Sequence, residues 1–180
     1  VCNLISKYSM FENLQQKYGE RDIFYIFEKE NINYRNLNEF SDKVSQLIKS
    51  RTLVFSLCEN NSESVLGYIS FLRNKTVSLL LDSKINKDFL ANLIDIYQPE
   101  YLWGPLEKIK KLQKFETIFT YSNYVLSKNR SRYRNDLHKD LALLLTTSGS
   151  TGSPKLVKLS YKNLLSNANS IATYLKISKK

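Results

Sequence analysis

Two apolar runs, Leu141-Ala-Leu-Leu-Leu145 and Leu156-Val-Lys-Leu159, bracket a segment of another kind, Thr147-Ser-Gly-Ser-Thr-Gly-Ser-Pro-Lys155. Short continuous apolar runs bounded by turn residues read as buried strands. The chain must therefore leave one strand, pass through a glycine- and hydroxyl-rich loop, and re-enter another. That loop holds two of only five glycines in 180 residues. Glycine opens the φ > 0 region, so successive N–H groups can turn inward and form a positively polarised nest. Ser148, Ser150, Thr151 and Ser153 add hydroxyl donors, and Lys155 adds a full charge. Together these residue types suit a phosphate-like anion. A flexible Ser/Gly linker shares the composition, but linkers sit in polar surroundings rather than between strands. A Walker A loop requires Gly-Lys-Ser/Thr in succession, and here Ser153 and Pro154 separate Gly152 from Lys155.

Elsewhere the apolar pattern alternates between helical spacing and continuous runs, as in βαβ units. Ile23–Phe27 and Asn31–Tyr34 read as a hairpin. A helix follows over 34–49, capped by Asn33, with Leu37, Phe40, Val44, Leu47 and Ile48 on one stripe. Leu53–Leu57 reads as a strand, and Ser62–Arg73 as a helix with Val65, Leu66, Ile69 and Leu72 inward. Thr76–Leu81 is the next strand. Asn86 caps a helix carrying Phe89, Leu90, Leu93, Ile94 and Tyr97, and Pro99 stops it before a short strand over Glu100–Trp103. Phe115–Tyr121 and Tyr124–Leu126 form a second hairpin, and Ser127–Lys139 reads as a polar connector. Ser160 caps a final helix over 161–176, whose Leu164, Leu165, Ala168, Ile171, Ala172 and Leu175 make a face built for burial. The expected fold class is α/β, a largely parallel sheet flanked by helices on both faces.

The charge balance is +10, which raises the question of a nucleic-acid partner. The densest basic stretch, Lys128-Asn-Arg-Ser-Arg-Tyr-Arg134, reads first as a solvated surface loop, with a basic nucleic-acid-binding domain as the alternative from another class. Cys2 and Cys58 are far apart, without framework or metal spacing, which fits a reduced cytoplasmic protein. No apolar run approaches the length of a membrane span. His138 is the single histidine and reads as a surface residue of the polar connector, so no Ser-His-Asp or Cys-His catalytic arrangement is expected from these residues.

From Thr147 to Lys155 without a gap, the loop resembles the phosphate-binding signature of the adenylate-forming superfamily, which includes acyl-CoA synthetases, nonribosomal adenylation domains and luciferases. Asn33-Tyr34-Arg-Asn-Leu37 with Phe40-Ser41 resembles an early block of that family. Ser64-Val-Leu-Gly67-Tyr-Ile-Ser-Phe-Leu72 followed by Val77-Ser-Leu-Leu-Leu-Asp82 resembles the next. The chain departs from the family in having Leu156 where glycine is common and Tyr161 where histidine is frequent.

The resemblance implies activation of a carboxylic acid with ATP to an acyl-adenylate, releasing pyrophosphate. Transfer to a thiol, of CoA or of carrier-protein phosphopantetheine, then follows. An AMP-forming acid–thiol ligase of the acyl-CoA synthetase type leads, with an amino-acid-activating adenylation domain as the alternative. Carried over by position, Thr147, Ser148, Gly149, Ser150, Thr151, Gly152 and Lys155 would hold the triphosphate, Lys155 acting in catalysis. The resemblance also implies that the adenine, ribose and Mg²⁺ groups lie beyond residue 180. Residues 1–180 are accordingly expected to be the N-terminal portion of an AMP-binding large domain, inactive alone and prone to self-association.

Overall fold

A computed structural model describes residues 11, 16, 18–24, 31–131, 135–146 and 155–177. A small antiparallel pair, β1 (Asp22–Phe24) and β2 (Ile32–Asn33), leads into α1 (Tyr34–Leu47). The remaining elements are β3 (Leu53–Cys58), α2 (Ser62–Arg73), β4 (Val77–Asp82), α3 (Lys87–Tyr97), β5 (Tyr101–Pro105), α4 (Leu106–Ile109), β6 (Phe115–Tyr121), β7 (Tyr124–Asn129), β8 (Leu141–Thr146), β9 (Leu156–Ser160) and α5 (Tyr161–Tyr174). Seven strands form one mixed sheet in the order β6-β7-β5-β3-β4-β8-β9. Its centre, β5-β3-β4-β8, is parallel, while β7 joins β5, β6 joins β7 and β9 joins β8 antiparallel.

The strands are continuous apolar runs because both sheet faces are covered. On one face Leu90, Leu93 and Ile94 of α3 and Ile109 of α4 pack on Phe55, Leu79 and Leu81. On the other, Leu37, Phe40 and Val44 of α1 and Leu66 and Phe71 of α2 pack on Val54, Trp103 and Leu126. Each long helix starts as its sequence directs. Asn33 closes a capping box with Asn36, Asn61 accepts from Ser64 N, Asn86 caps α3, and Ser160 closes a capping box with Asn163.

Several details differ from the periodicity. Leu47 is exposed and the buried end of its stripe is Ile48, because α1 stops at Leu47 and Ile48 takes an extended conformation. Within α2 Gly67 and Phe71 lie against Trp103 of β5 and Ser70 hydrogen-bonds Ser41 of α1, with Val65 and Ile69 only half-buried. Small residues there let the helix sit low on the strands. In α3 Phe89 is exposed. Ser127 and Asn129 belong to β7 and are buried rather than lying in a connector, since β7 is covered by β5 and β6 on both edges.

Arg51 bridges the entries to β3 and β8, which flank β4. It sits in the left-handed region, at φ 60°, just before β3. Its guanidinium donates to the carbonyls of Leu141 (2.8 Å), His138 and Leu137. This ties the 135–140 connector to the start of β3. Charged hydrogen bonds contribute about 1.5–3 kcal/mol, discounted here because Arg51 is only half-buried. Arg51→Ala is expected to lower the urea-unfolding free energy by about 1–2 kcal/mol. Arg51→Gly, which removes the left-handed penalty of roughly 1 kcal/mol, should lower it less.

Five tyrosines are also held protonated by burial. Tyr68, Tyr101, Tyr121 and Tyr124 are all raised above the ordinary tyrosine value, and Tyr161 is pushed up to about 12. Tyr161 is buried and donates to the carbonyl of Leu72 at 3.1 Å. An unfolded tyrosine ionises near pH 10. Above that pH the unfolded chain releases protons that the folded chain retains, so stability falls as pH rises. Unfolding midpoints should be insensitive to these tyrosines below about pH 10 and fall from there towards the folded value of Tyr161, about 12. Tyr161→Phe should flatten part of that fall.

Candidate functional site

Parallel strands β3, β4 and β8 all end at one edge of the sheet, at Cys58, Asp82 and Thr146. Crevices outside the carboxyl ends of parallel strands are where ligands bind in open α/β sheets. At this edge β8 turns back into β9, with Thr146 paired to Leu156 and Leu145 to Val157. The two ends of the segment 147–155 are thus fixed as neighbouring strand positions. Of the residues assigned to the triphosphate from the sequence, Thr147, Ser148, Gly149, Ser150, Thr151 and Gly152 lie outside the described residues. Lys155 is described; it is exposed, immediately before β9, at the same edge.

The edge is built on a polar network that periodicity did not reveal. Buried Tyr124 Oη and Ser64 Oγ are hydrogen-bonded at 3.0 Å. Ser64 Oγ donates to Asn61 Oδ1 at 2.8 Å and accepts from the Glu59 amide at 2.9 Å. Ser83 Oγ donates to Glu59 Oε1 at 3.0 Å. These bonds lock the turns after β3 and β4 and the start of α2 into one unit. The Asn60-Asn-Ser-Glu-Ser64 string signals a helix cap in the sequence. Its link to Tyr124, sixty residues away, needs the sheet order to be known.

Cys58, paired with Asp82 in register, is half-buried at this edge. Burial pushes its thiol above the ordinary value, and the Asp82 carboxylate pushes the same way. It therefore stays a thiol near neutral pH and lacks the thiolate that a nucleophilic cysteine needs. Among the described residues no group of three or more His, Cys, Asp or Glu converges on a metal position. No helix among them is long and apolar enough to cross a membrane.

The basic stretch lies at the opposite edge, where the parallel strands begin. Lys128 and Arg130 line an open groove of about 620 Å³ with Lys49 and Arg51, but Glu100 and Glu116 line it too. Glu100 is occupied internally, accepting from Leu53 N (2.9 Å) and Asn135 Nδ2 (3.0 Å). Arg132, Tyr133 and Arg134 lie outside the described residues. His138 is exposed on the connector.

The sequence model of AMP-binding enzymes matches residues 11–179. Bacitracin synthase 1 of Bacillus licheniformis is 25% identical over 148 residues, 78% of this chain and 3% of that protein. Nonribosomal peptide synthetase kk1B of Curvularia clavata is 27% identical over 162 residues, 78% of this chain and 1% of its own length. Among solved structures, apo MatB from Rhodopseudomonas palustris superposes with a TM-score of 0.65 at 20% identity, covering 83% of this chain and 33% of MatB. O-succinylbenzoate coenzyme A synthetase (MenE) from Bacillus subtilis, in complex with AMP, gives 0.65 at 18% identity, covering 91% of this chain and 45% of MenE. The chain thus spans a few per cent of the peptide synthases and less than half of the solved proteins whose fold it shares.

Proposed function

The chain belongs to the AMP-binding enzyme family, and on that premise we propose that it is the leading portion of an enzyme that adenylates a carboxylic acid and hands the acyl group to a thiol. The observation that carries the reading is the unbroken Thr147–Lys155 signature, set between two paired strands at the carboxyl edge of a parallel sheet. A carboxylate is already ionised at neutral pH, so its oxygen attacks the α-phosphorus of ATP without a general base. The new C(O)–O–P bond forms as the bond to the β-phosphate oxygen breaks, and pyrophosphate leaves with that electron pair. The task left to the protein is to hold the reactants in line and offset charge on the departing phosphates. Lys155 supplies a permanent positive charge for this, and the loop hydroxyls and N–H groups supply donors. Mg²⁺, whose ligands the family resemblance places after residue 180, would supply further screening of phosphate charge.

The thiol acceptor is CoA or a carrier-protein phosphopantetheine. The peptide synthases among the relatives support an amino acid as substrate, while MenE, a coenzyme A synthetase similar in fold alone, keeps acyl-CoA formation in view. ATP–pyrophosphate exchange by the native-length polypeptide, against parallel panels of amino acids and of aryl, fatty and dicarboxylic acids, tests both. Exchange dependent on one class is expected; the absence of exchange with every acid would refute adenylation.

For residues 1–180 alone, ATP contacts would be limited to phosphates in open solvent, where each charge contact is weak. Titration calorimetry is expected to show binding no tighter than about millimolar, near −4 kcal/mol. Micromolar binding would place the nucleotide site elsewhere.

A further inference from the structure

The edge where the parallel strands begin, opposite the one that carries Lys155, holds a second concave surface. It exists because α1 stops at Leu47 and Ile48 runs extended, which leaves the next row of the sheet without a helix over it. That row crosses three strands in register: Tyr101 of β5 pairs with Lys128 of β7, and Lys128 with Glu116 of β6. Residues paired across strands share a face, and Tyr101 belongs to the face that α1 covers. Lys128 and Glu116 therefore open into the groove of about 620 Å³, with Lys49 from the turn after α1 and Arg130 from just past β7 on its walls.

The loops around the groove are pinned by their own hydrogen bonds. Thr52 Oγ1 donates to the Lys49 carbonyl at 2.8 Å and Asn74 Nδ2 to the Ile48 carbonyl at 3.1 Å, so carbonyls at the end of α1 are already occupied. Asn129 Nδ2 donates to the Pro99 carbonyl (3.1 Å), its Oδ1 accepts from Ser131 N (3.0 Å), and Arg130 N donates to the Lys114 carbonyl (2.9 Å). Four cationic and two carboxylate side chains line the groove, a net charge of +2. Arg51 and Glu100, both half-buried, are committed internally, to backbone carbonyls and to Leu53 N and Asn135 respectively. Lys49, Lys128, Arg130 and Glu116 are exposed, and among the described residues none of these four side chains is in an ion pair. Three charged donors against one carboxylate match a dianion.

We propose that this groove binds the phosphate or diphosphate group of a small ligand, with Lys49, Lys128 and Arg130 as cationic contacts and Ser50 and Ser131 as neutral donors. Ammonium and guanidinium groups meet phosphate oxygens with charged hydrogen bonds, and a groove of several hundred Å³ suits a small molecule. A nucleic-acid strand fits less well. Towards β6 it would pass Glu116, and towards β3, past Arg51, it would meet a hollow carrying Asp136 beside Lys139. Occupancy of the groove is independent of adenylation at the other edge.

Lysine acetylation of the native-length polypeptide, read site by site by peptide mass spectrometry, tests the groove with inorganic phosphate, inorganic pyrophosphate and a single-stranded oligonucleotide. Phosphate or pyrophosphate is expected to slow acetylation of Lys49 and Lys128 at least about threefold, as contacts to exposed charges allow. Half-protection is expected near about millimolar probe. Lys43 and Lys162, exposed outside the groove, should react unchanged at matched ionic strength. Stronger protection by pyrophosphate identifies a diphosphate ligand, and equal protection a monoester. Arg130→Ala should weaken the protection about threefold, Glu116→Gln should strengthen it, and both variants should keep ATP–pyrophosphate exchange at the wild-type rate. Lys155→Ala should leave the protection of Lys49 and Lys128 intact, which separates this site from the adenylation reading. Protection no greater than chloride gives at the same ionic strength, protection indifferent to Arg130→Ala, or protection by the oligonucleotide alone would overturn the proposal.

Discussion

Gly67→Ala is expected to destabilise the protein by about 2–4 kcal/mol, although the same change in most helices stabilises by about 1 kcal/mol. A Cβ built at Gly67 would stand 2.3 Å from Trp103 Nε1 and 2.6 Å from Trp103 Cδ1. The indole has nowhere to go. It is fully buried, its Nε1 donates to the Glu63 carbonyl at 3.1 Å, and Phe40, Phe71 and Tyr124 pack around it with centroids 5.6, 6.5 and 5.3 Å away. Either α2 lifts off the sheet or the indole gives up its hydrogen bond. Overpacking costs about 1–3 kcal/mol, and an unsatisfied buried donor a further 1–3 kcal/mol. These outweigh the gain in helix propensity. For a domain of this size each kcal/mol shifts the melting temperature by about 2–4 °C, so a fall on the order of 10 °C is expected. Trp103→Phe made together with Gly67→Ala should recover part of the loss, giving a measurable coupling in the double-mutant cycle. Unchanged melting in the single variant would show that α2 is not seated as described.

Lys155→Ala is expected to slow adenylation by the native-length enzyme by at least about tenfold, since a charged contact contributes about 1.5–3 kcal/mol and each 1.36 kcal/mol is tenfold in rate. Stability should be nearly unchanged, because Lys155 is exposed and precedes β9 rather than packing beneath it. The contrast with Gly67 separates a residue of the frame from one proposed for the chemistry. Pyrophosphate exchange at the wild-type rate in the Lys155 variant would remove that lysine from the mechanism.

The frame was legible where local chemistry acts alone. Asn33, Asn86 and Ser160 cap three of the four long helices as the sequence marks them, and the apolar runs at 53–57, 76–81 and 141–146 are strands of the parallel centre to within a residue or two. What periodicity could not give was depth. The helical stripe marks Val65 and Ile69 as inward, yet they are only half-buried, while Gly67 sits against the Trp103 indole and Ser70 is buried against Ser41 of α1. Ser127 and Asn129 look like connector residues in sequence and are buried because strands flank them on both sides. The Thr147–Lys155 segment is legible as residue types in order, and the sheet adds a carboxyl edge with Thr146 and Leu156 paired beside it. The Tyr124–Ser64 contact joins residues sixty positions apart and has no local signature at all.

Trp103 is the chain's single tryptophan, which makes it an optical gauge of its own surroundings. Its emission should be blue-shifted in the native state and move to the red only when the α1–α2 face opens, with no second indole to blur the signal. Tyr124 touches it on one side and reaches Ser64 at the carboxyl edge on the other. A ligand that reorganises that edge therefore has a short mechanical route to the fluorophore, and nucleotide titrations of the native-length enzyme can be followed without an added label.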